Sequence, residues 1–299
     1  MAEMNIGMVG LDTSHCPAFT DLLNNPSNPH HVAGGRVRWA YPGGSKLFSK
    51  SFNRVEKFTS QLRDEFKVEI LGSVEAVGEK ADAVLMESVD GRQHLEQFKA
   101  LAKLGKPVFI DKPLACSLDD AKAIMELSAK YNTPVYSASS IRYYKGIQGV
   151  AAGKTVVAVE AHGPVEILHD YPGYFWYGVH AAEVLFEILG EGCKTVRAIP
   201  SENADVITGL WEGNRVGILV GYRIAGTSDW GATVWAKEGI IQTKGDGSVP
   251  GYALLLPRVV EFFKTRKSPI STRQMLEVVA YLEALDKSRS SGEAVAIAI

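Results

Sequence analysis

Gly105-Lys106-Pro107-Val108-Phe109-Ile110-Asp111-Lys112-Pro113 is the stretch of this 299-residue chain from which its fold is read. Val108–Ile110 reads as a short buried strand that emerges directly into an acid, a lysine and a proline. Open α/β sheets bind ligands where their strands end, at the carboxyl edge. A lysine rooted there is partly desolvated, which lowers its pKa towards acid/base range. Pro113 fixes the turn and is able to hold a cis bond. Taken alone, Lys112-Pro113 reads better as a loop lysine before a helix-starting proline. Its surroundings decide between the two.

Working outward, residues 6–9, 37–40, 83–86 and 134–137 are further short apolar runs of strand character. Between them, residues 17–23, 52–66 and 93–104 carry apolar side chains at helical period, and Ser117-Leu118-Asp119-Asp120 opens another helix like a capping box. Strands alternating with helices mean βαβ units and a parallel sheet with right-handed crossovers. The pattern predicts a Rossmann-like α/β domain over residues 1–140. The second half changes character. Residues 205–211, 215–223, 230–236 and 240–243 are β-rich runs separated by short turns, which require antiparallel pairing. Residues 141–299 are therefore expected to form an α+β domain with an open antiparallel sheet. Its last helix, about residues 272–288, is placed either there or packed back on the first domain.

Composition sets limits on function. A hydrophobic share of 46% and a charged share of 22% are those of a globular domain. A net charge of −2 provides no basic surface for nucleic acid or an anionic membrane, so neither is expected as a partner. Cys16, Cys116 and Cys193 are odd in number and far apart, which argues against a disulfide framework or a thiolate metal site. No apolar run reaches the length of a membrane span, and the amino terminus runs into a strand without a signal-like segment. A cytoplasmic protein is expected.

The opening stretch resembles the GK-x-V-x-x-EKP signature of the Gfo/Idh/MocA oxidoreductases, with Asp111 in place of the glutamate. Ile6-Gly7-Met8-Val9-Gly10 is similar to that family's first strand, His94 to the start of its fourth strand–helix unit, and Gly178-Val179-His180 to the core of its G-x-H motif. Ser290-Ser291-Gly292-Glu293-Ala294-Val295 resembles its carboxyl-terminal ending. The resemblance covers nearly the whole chain. It implies an NAD(P)-dependent enzyme acting on a secondary alcohol or ketone of a sugar- or cyclitol-like substrate, assembled as a homodimer or homotetramer through the open sheet. Two alternatives stay open: a lyase or glycoside-cleaving enzyme on the same scaffold, or a ligand-binding member without catalysis.

The resemblance also assigns candidate residues. NAD or NADP would meet Gly10, Asp12, Thr13, Ser14, His15, Ser45, Ser88, Asp111 and Lys112. The family's G-x-G-x-x-G is reduced here to Gly10, with Asp12 and His15 at the other glycine positions. Asp12 is expected to bring a carboxylate towards the pyrophosphate, so that dinucleotide binding is at best micromolar and improves on replacement of Asp12 by glycine. Ser45 and the neighbouring Lys46 read either as contacts for a 2′-phosphate or as part of a plain turn. Lys112 and His180 would share acid/base work, with Glu183, one turn along the helix, orienting the imidazole. Arg142, Tyr143, Trp176 and Tyr177 would shape the substrate cleft with His180, Arg142 reading alternatively as an interdomain salt bridge. Trp176 stands where the family carries an acid. His162, His169, His180 and Glu183 match no standard metal spacing, so no metal is expected.

Overall fold

The computed structural model describes residues 3–299. Its first half runs β1 (Met4–Val9), α1 (His15–Asn24), β2 (Gly35–Tyr41), α2 (Ser49–Phe52), α3 (Val55–Asp64), β3 (Glu69–Ile70), α4 (Val74–Lys80), β4 (Ala83–Met86), α5 (His94–Ala102), β5 (Val108–Ile110), α6 (Leu118–Tyr131) and β6 (Val135–Tyr136). The six strands form one parallel sheet in the order β3-β2-β1-β4-β5-β6. β4 and β5 are buried along their whole length, as the central strands of a sheet covered on both faces must be. The strand order reverses between β1 and β4, and ligands of such sheets bind outside the carboxyl ends at that point.

The second half runs β7 (Val156–Pro164), α7 (Gly178–Leu189), β8 (Cys193–Pro200), β9 (Ala204–Trp211), β10 (Arg215–Tyr222), β11 (Gly231–Ala236) and β12 (Gly239–Lys244), followed by α8 (Gly251–Thr265), α9 (Thr272–Ser291) and β13 (Val295–Ala296). Seven strands pair in the order β12-β11-β7-β10-β9-β8-β13. The sheet is mixed rather than wholly antiparallel, because β7 and β10 run parallel. α7 intervenes in sequence between β7 and the later strands, and only such a crossover allows parallel neighbours.

The chain divides into two compact units. One holds residues 1–115, 119–138 and 252–270, the other residues 116–118, 139–251 and 271–299. The helix that rejoins the first unit is α8, and the last helix, α9, stays in the second. In the first unit Phe262 of α8 meets Tyr136 edge-on at 5.6 Å between centroids. In the second, the fully buried rings of Phe186, Trp211 and Tyr281 pack together from α7, β9 and α9. No described helix is long and apolar enough to cross a membrane.

Candidate active site

The first unit gathers its chemistry where β1, β4 and β5 end. Gly10 leaves β1 at φ +86, and a Cβ there would stand 2.1 Å from Ser88 Oγ, so only glycine lets these two loops touch. α1 begins immediately after, with Ser14 as an N-cap that makes no side-chain capping bond and no acid in the first turn. The positive end of the helix dipole favours an anion there, while the His15 and Cys16 amides already bond to Thr13 and Pro17 carries no N–H.

Asp12 does not do what the sequence led us to expect. Its carboxylate is fully buried, accepting from Ser51 Oγ at 2.5 Å and from the Val89 N–H at 3.0 Å. Burial raises its pKa, against the hydrogen bonds from Ser51 and Val89. Asp12 is a staple between the loops after β1, β2 and β4, and it presents no charge to the helix end. Replacing it with alanine or glycine orphans two buried donors. We expect a loss of about 1–3 kcal/mol in chemical denaturation and no gain in dinucleotide affinity on calorimetric titration.

Ser45 is corrected likewise. Its hydroxyl donates to Asp90 Oδ2 at 2.6 Å and its N–H to Ser51 Oγ at 2.7 Å, so it is a buried link and presents no open hydroxyl to a phosphate. Arg92 clamps the same Asp90 through Nε at 2.8 Å and Nη2 at 2.9 Å. Lys46 is exposed. Ser88 is buried and accepts from Gln97 Nε2 at 2.8 Å. His94 is structural: its ring nitrogens lie 2.7 Å from the Ser88 carbonyl and 3.2 Å from that of Leu114, tying the ends of β4 and β5 together.

The remaining residues converge. Asp111 and Lys112, buried at the end of β5, adjoin Glu87 at the end of β4 and His15 at the start of α1. His15 Nδ1 stands 2.8 Å from Asp111 Oδ2 and 3.8 Å from Glu87 Oε2. Burial lowers the Lys112 pKa, opposed by the charges of Asp111 and Glu87. Burial works against the Asp111 charge, but His15 and Lys112 overcome it and hold this carboxyl below its usual value. Glu87 is pushed well above the carboxylate range, by burial first and then by Asp111. The Lys112–Pro113 bond is cis. Glu87 escaped the sequence reading, although an acid directly after a buried strand was a signal of the same kind as Asp111.

In the second unit, His180 lies in the first turn of α7, and Ser139 Oγ shares a hydrogen bond with its Nδ1 at 2.6 Å. Tyr177 and Trp230 flank the ring edge-on at 5.4 and 5.3 Å. Ser139 thus holds the orienting place expected of Glu183. Glu183 is instead buried against Arg142, whose Nε donates to its Oε2 at 2.5 Å while Nη1 donates to Glu187 at 2.7 Å. Arg142 is therefore engaged within its own unit through Nε and Nη1, as an internal ion pair. Tyr143 is buried beside it. Trp176 is buried with Nε1 donating to Glu166 at 2.9 Å, and Tyr177 is exposed. His162 pairs with Glu160 at 3.0 Å. Among the described residues, the group of three or more metal-capable side chains within ligand reach is His15, Glu87 and Asp111, and it includes none of His162, His169, His180 or Glu183.

Residues 4–139 match the family described as "Oxidoreductase family, NAD-binding Rossmann fold", GFO_IDH_MocA. Over those residues the chain is thus similar to the Rossmann domain of the Gfo/Idh/MocA oxidoreductases. Among solved structures it is similar to myo-inositol dehydrogenase from Lactobacillus casei in complex with NAD(H) and myo-inositol, with TM-score 0.80, 15% identity, and coverage of 100% of this chain and 98% of that one. It is also similar to apo scyllo-inositol dehydrogenase from Lactobacillus casei, with TM-score 0.79, 14% identity and 99% of each chain covered. A third is GenD2 from gentamicin A biosynthesis in complex with NAD, with TM-score 0.79, 15% identity, and coverage of 100% and 97%. At these identities the likeness establishes the shared two-domain fold. No curated protein matches the sequence.

Proposed function

We propose that the chain is an NAD-dependent dehydrogenase acting on a secondary hydroxyl of a polyhydroxylated, cyclitol- or sugar-like molecule. The observation that carries this reading is a lysine amine buried at the carboxyl edge of β5, beside the switch point of a family Rossmann sheet. The residues fit the dinucleotide: Gly10 makes the turn, the amino-terminal end of α1 supplies its dipole, Thr13 and Ser14 supply hydroxyls, and the Asp12 carboxylate is turned inward. When bound, NAD supplies the hydride acceptor. Lys112 Nζ takes the proton from the substrate hydroxyl and returns it in the reverse direction, its pKa lowered by burial against the opposing charges of Asp111 and Glu87. For the second unit we propose His180 as an acid/base group, its ring fixed through Nδ1 by Ser139. The complexes of similar structures with NAD(H) and inositols support the substrate class as analogy.

Calorimetric titration of nucleotide-free protein tests the cofactor. NAD is expected to bind, with NADP weaker by roughly tenfold or more, because the Ser45 hydroxyl is already bonded to Asp90. A screen of inositols and aldoses, followed by nicotinamide absorbance, then identifies substrate. Absence of heat with either nucleotide, together with no turnover of any polyol, would sink the proposal.

A further inference from the structure

We propose that His15, Glu87 and Asp111 form a binding site for one divalent transition-metal cation at the carboxyl edge of the six-stranded sheet. The three side chains come from α1, β4 and β5, and their donor atoms all lie within 4.8 Å of one another. Donors held about 2.0–2.2 Å from a cation are roughly 3–3.5 Å apart in tetrahedral or octahedral geometry. The observed 2.8 and 3.8 Å from His15 Nδ1 to the two carboxylates bracket that spacing.

A second observation makes this more than an acidic cluster. Glu87 is fully buried, and neither of its carboxylate oxygens has a hydrogen-bond partner. A buried carboxylate left without donors is costly, and native structures retain such a group where a ligand completes it. His15 Nδ1 is also without a hydrogen-bond partner, although it stands 2.8 Å from Asp111: the two atoms converge without the alignment of a donor and an acceptor. Phe19 stacks on the His15 ring at 5.6 Å and Tyr252 packs against it at 4.6 Å, fixing its direction.

The donor chemistry selects the ion. Until a cation binds, burial favours the protonated form of Glu87, so binding releases protons. The neutral imidazole and two carboxylates then bring two negative charges to a dication, and the neighbouring Lys112 offsets at most one of them. One nitrogen and two oxygens suit Mn²⁺, Fe²⁺ or Zn²⁺, whereas Mg²⁺ favours oxygen and water. Three protein ligands leave positions open for water or for a pair of hydroxyl oxygens on a bound molecule. His15 stands at one of the glycine positions of the nucleotide loop, and here that position supplies a ligand.

The experiment uses full-length protein freed of metal with chelator and freed of nucleotide, with no substrate present, so that its failure leaves the dehydrogenase reading untouched. Calorimetric titration with MnCl₂ and with ZnCl₂ should show one ion per chain, with much weaker binding of MgCl₂. Glu87→Gln and His15→Ala should each weaken Mn²⁺ binding by at least ~10-fold. Co²⁺ added to the wild-type protein should give visible absorption bands that Zn²⁺ displaces, a readout that requires no variant to fold. Absence of saturable Mn²⁺ or Zn²⁺ binding by the wild type overturns the proposal. So does unchanged affinity in both variants, or a Co²⁺ spectrum identical to that of the aquo ion.

Discussion

Lys112→Ala should cut turnover on the identified polyol by about 10²–10⁴-fold, the usual size of a lost general acid/base group. The loss is expected in kcat more than in KM, since the amine acts on the proton in flight rather than on the bulk of the substrate. Nucleotide affinity, read by calorimetry, should stay within a few-fold of wild type. The variant also removes a buried cation from beside two buried carboxylates, so its melting temperature must be measured alongside. A variant as active as wild type on a confirmed substrate would remove Lys112 from the chemistry. A variant that has merely lost its fold would show depressed nucleotide binding as well, and Lys112→Met, which keeps the chain's bulk, separates the two cases. His180→Ala is read with the same assays, with Ser139→Ala giving a smaller loss if the hydroxyl only positions the ring.

Arg142→Met should destabilise the protein by about 3–5 kcal/mol, the cost of leaving a buried ion without its partner. The guanidinium is 3% exposed and is held by both Glu183 and Glu187. Burial works against its charge, yet those two carboxylates hold it protonated above the normal arginine value. Removing the arginine strands Glu183 in the core of α7 with a carboxylate that must ionise alone or take a proton. Denaturant midpoints should show the loss. Adding Glu183→Gln to Arg142→Met should recover part of it, the non-additivity that residues sharing an ion pair display. A substrate-binding arginine would give the opposite pattern, a raised KM with stability unchanged, and that result would return Arg142 to the cleft.

The parallel sheet was legible because buried strands of apolar residues alternate with helices at a period that no other fold class produces. Two of its elements, the short β3 and α4, were missed, being two and seven residues long and weakly patterned. β7 and β8 were missed in the second unit. From Ala158 on, β7 alternates half-buried and buried residues, but it includes Glu160, His162 and the small Ala158, Ala161 and Gly163, which dilute the β signal. α8, also unread, carries Pro257 in its interior, and its apolar face is buried along Leu255, Leu256, Val259, Val260 and Phe263.

The place of a site residue was legible wherever it follows from its address in the sheet, as for Lys112 and Asp111 at the end of β5. It was misread wherever the role depends on which way a side chain turns. Asp12, Ser45 and Arg142 were each read as facing a ligand, and each is bound to a residue tens of positions away in sequence. Glu183 sits at the spacing that lets a helix carboxylate reach His180, but a buried arginine outcompetes a partly exposed imidazole for it. Ser139, which takes that place, carries no sequence signal.

The return of residues 252–270 to the first unit has a consequence for how the protein can be made. A gene fragment ending at residue 140 encodes all six strands of the parallel sheet but not the helix whose Phe262 covers Tyr136. During synthesis the first unit lacks that face until the ribosome has passed residue 270, so a nearly complete sheet waits with part of its apolar surface open. The two units are interleaved on the ribosome rather than finished in turn. Expression of the first half alone should yield aggregation-prone material, and a workable minimal fragment must splice residues 252–270 back onto it.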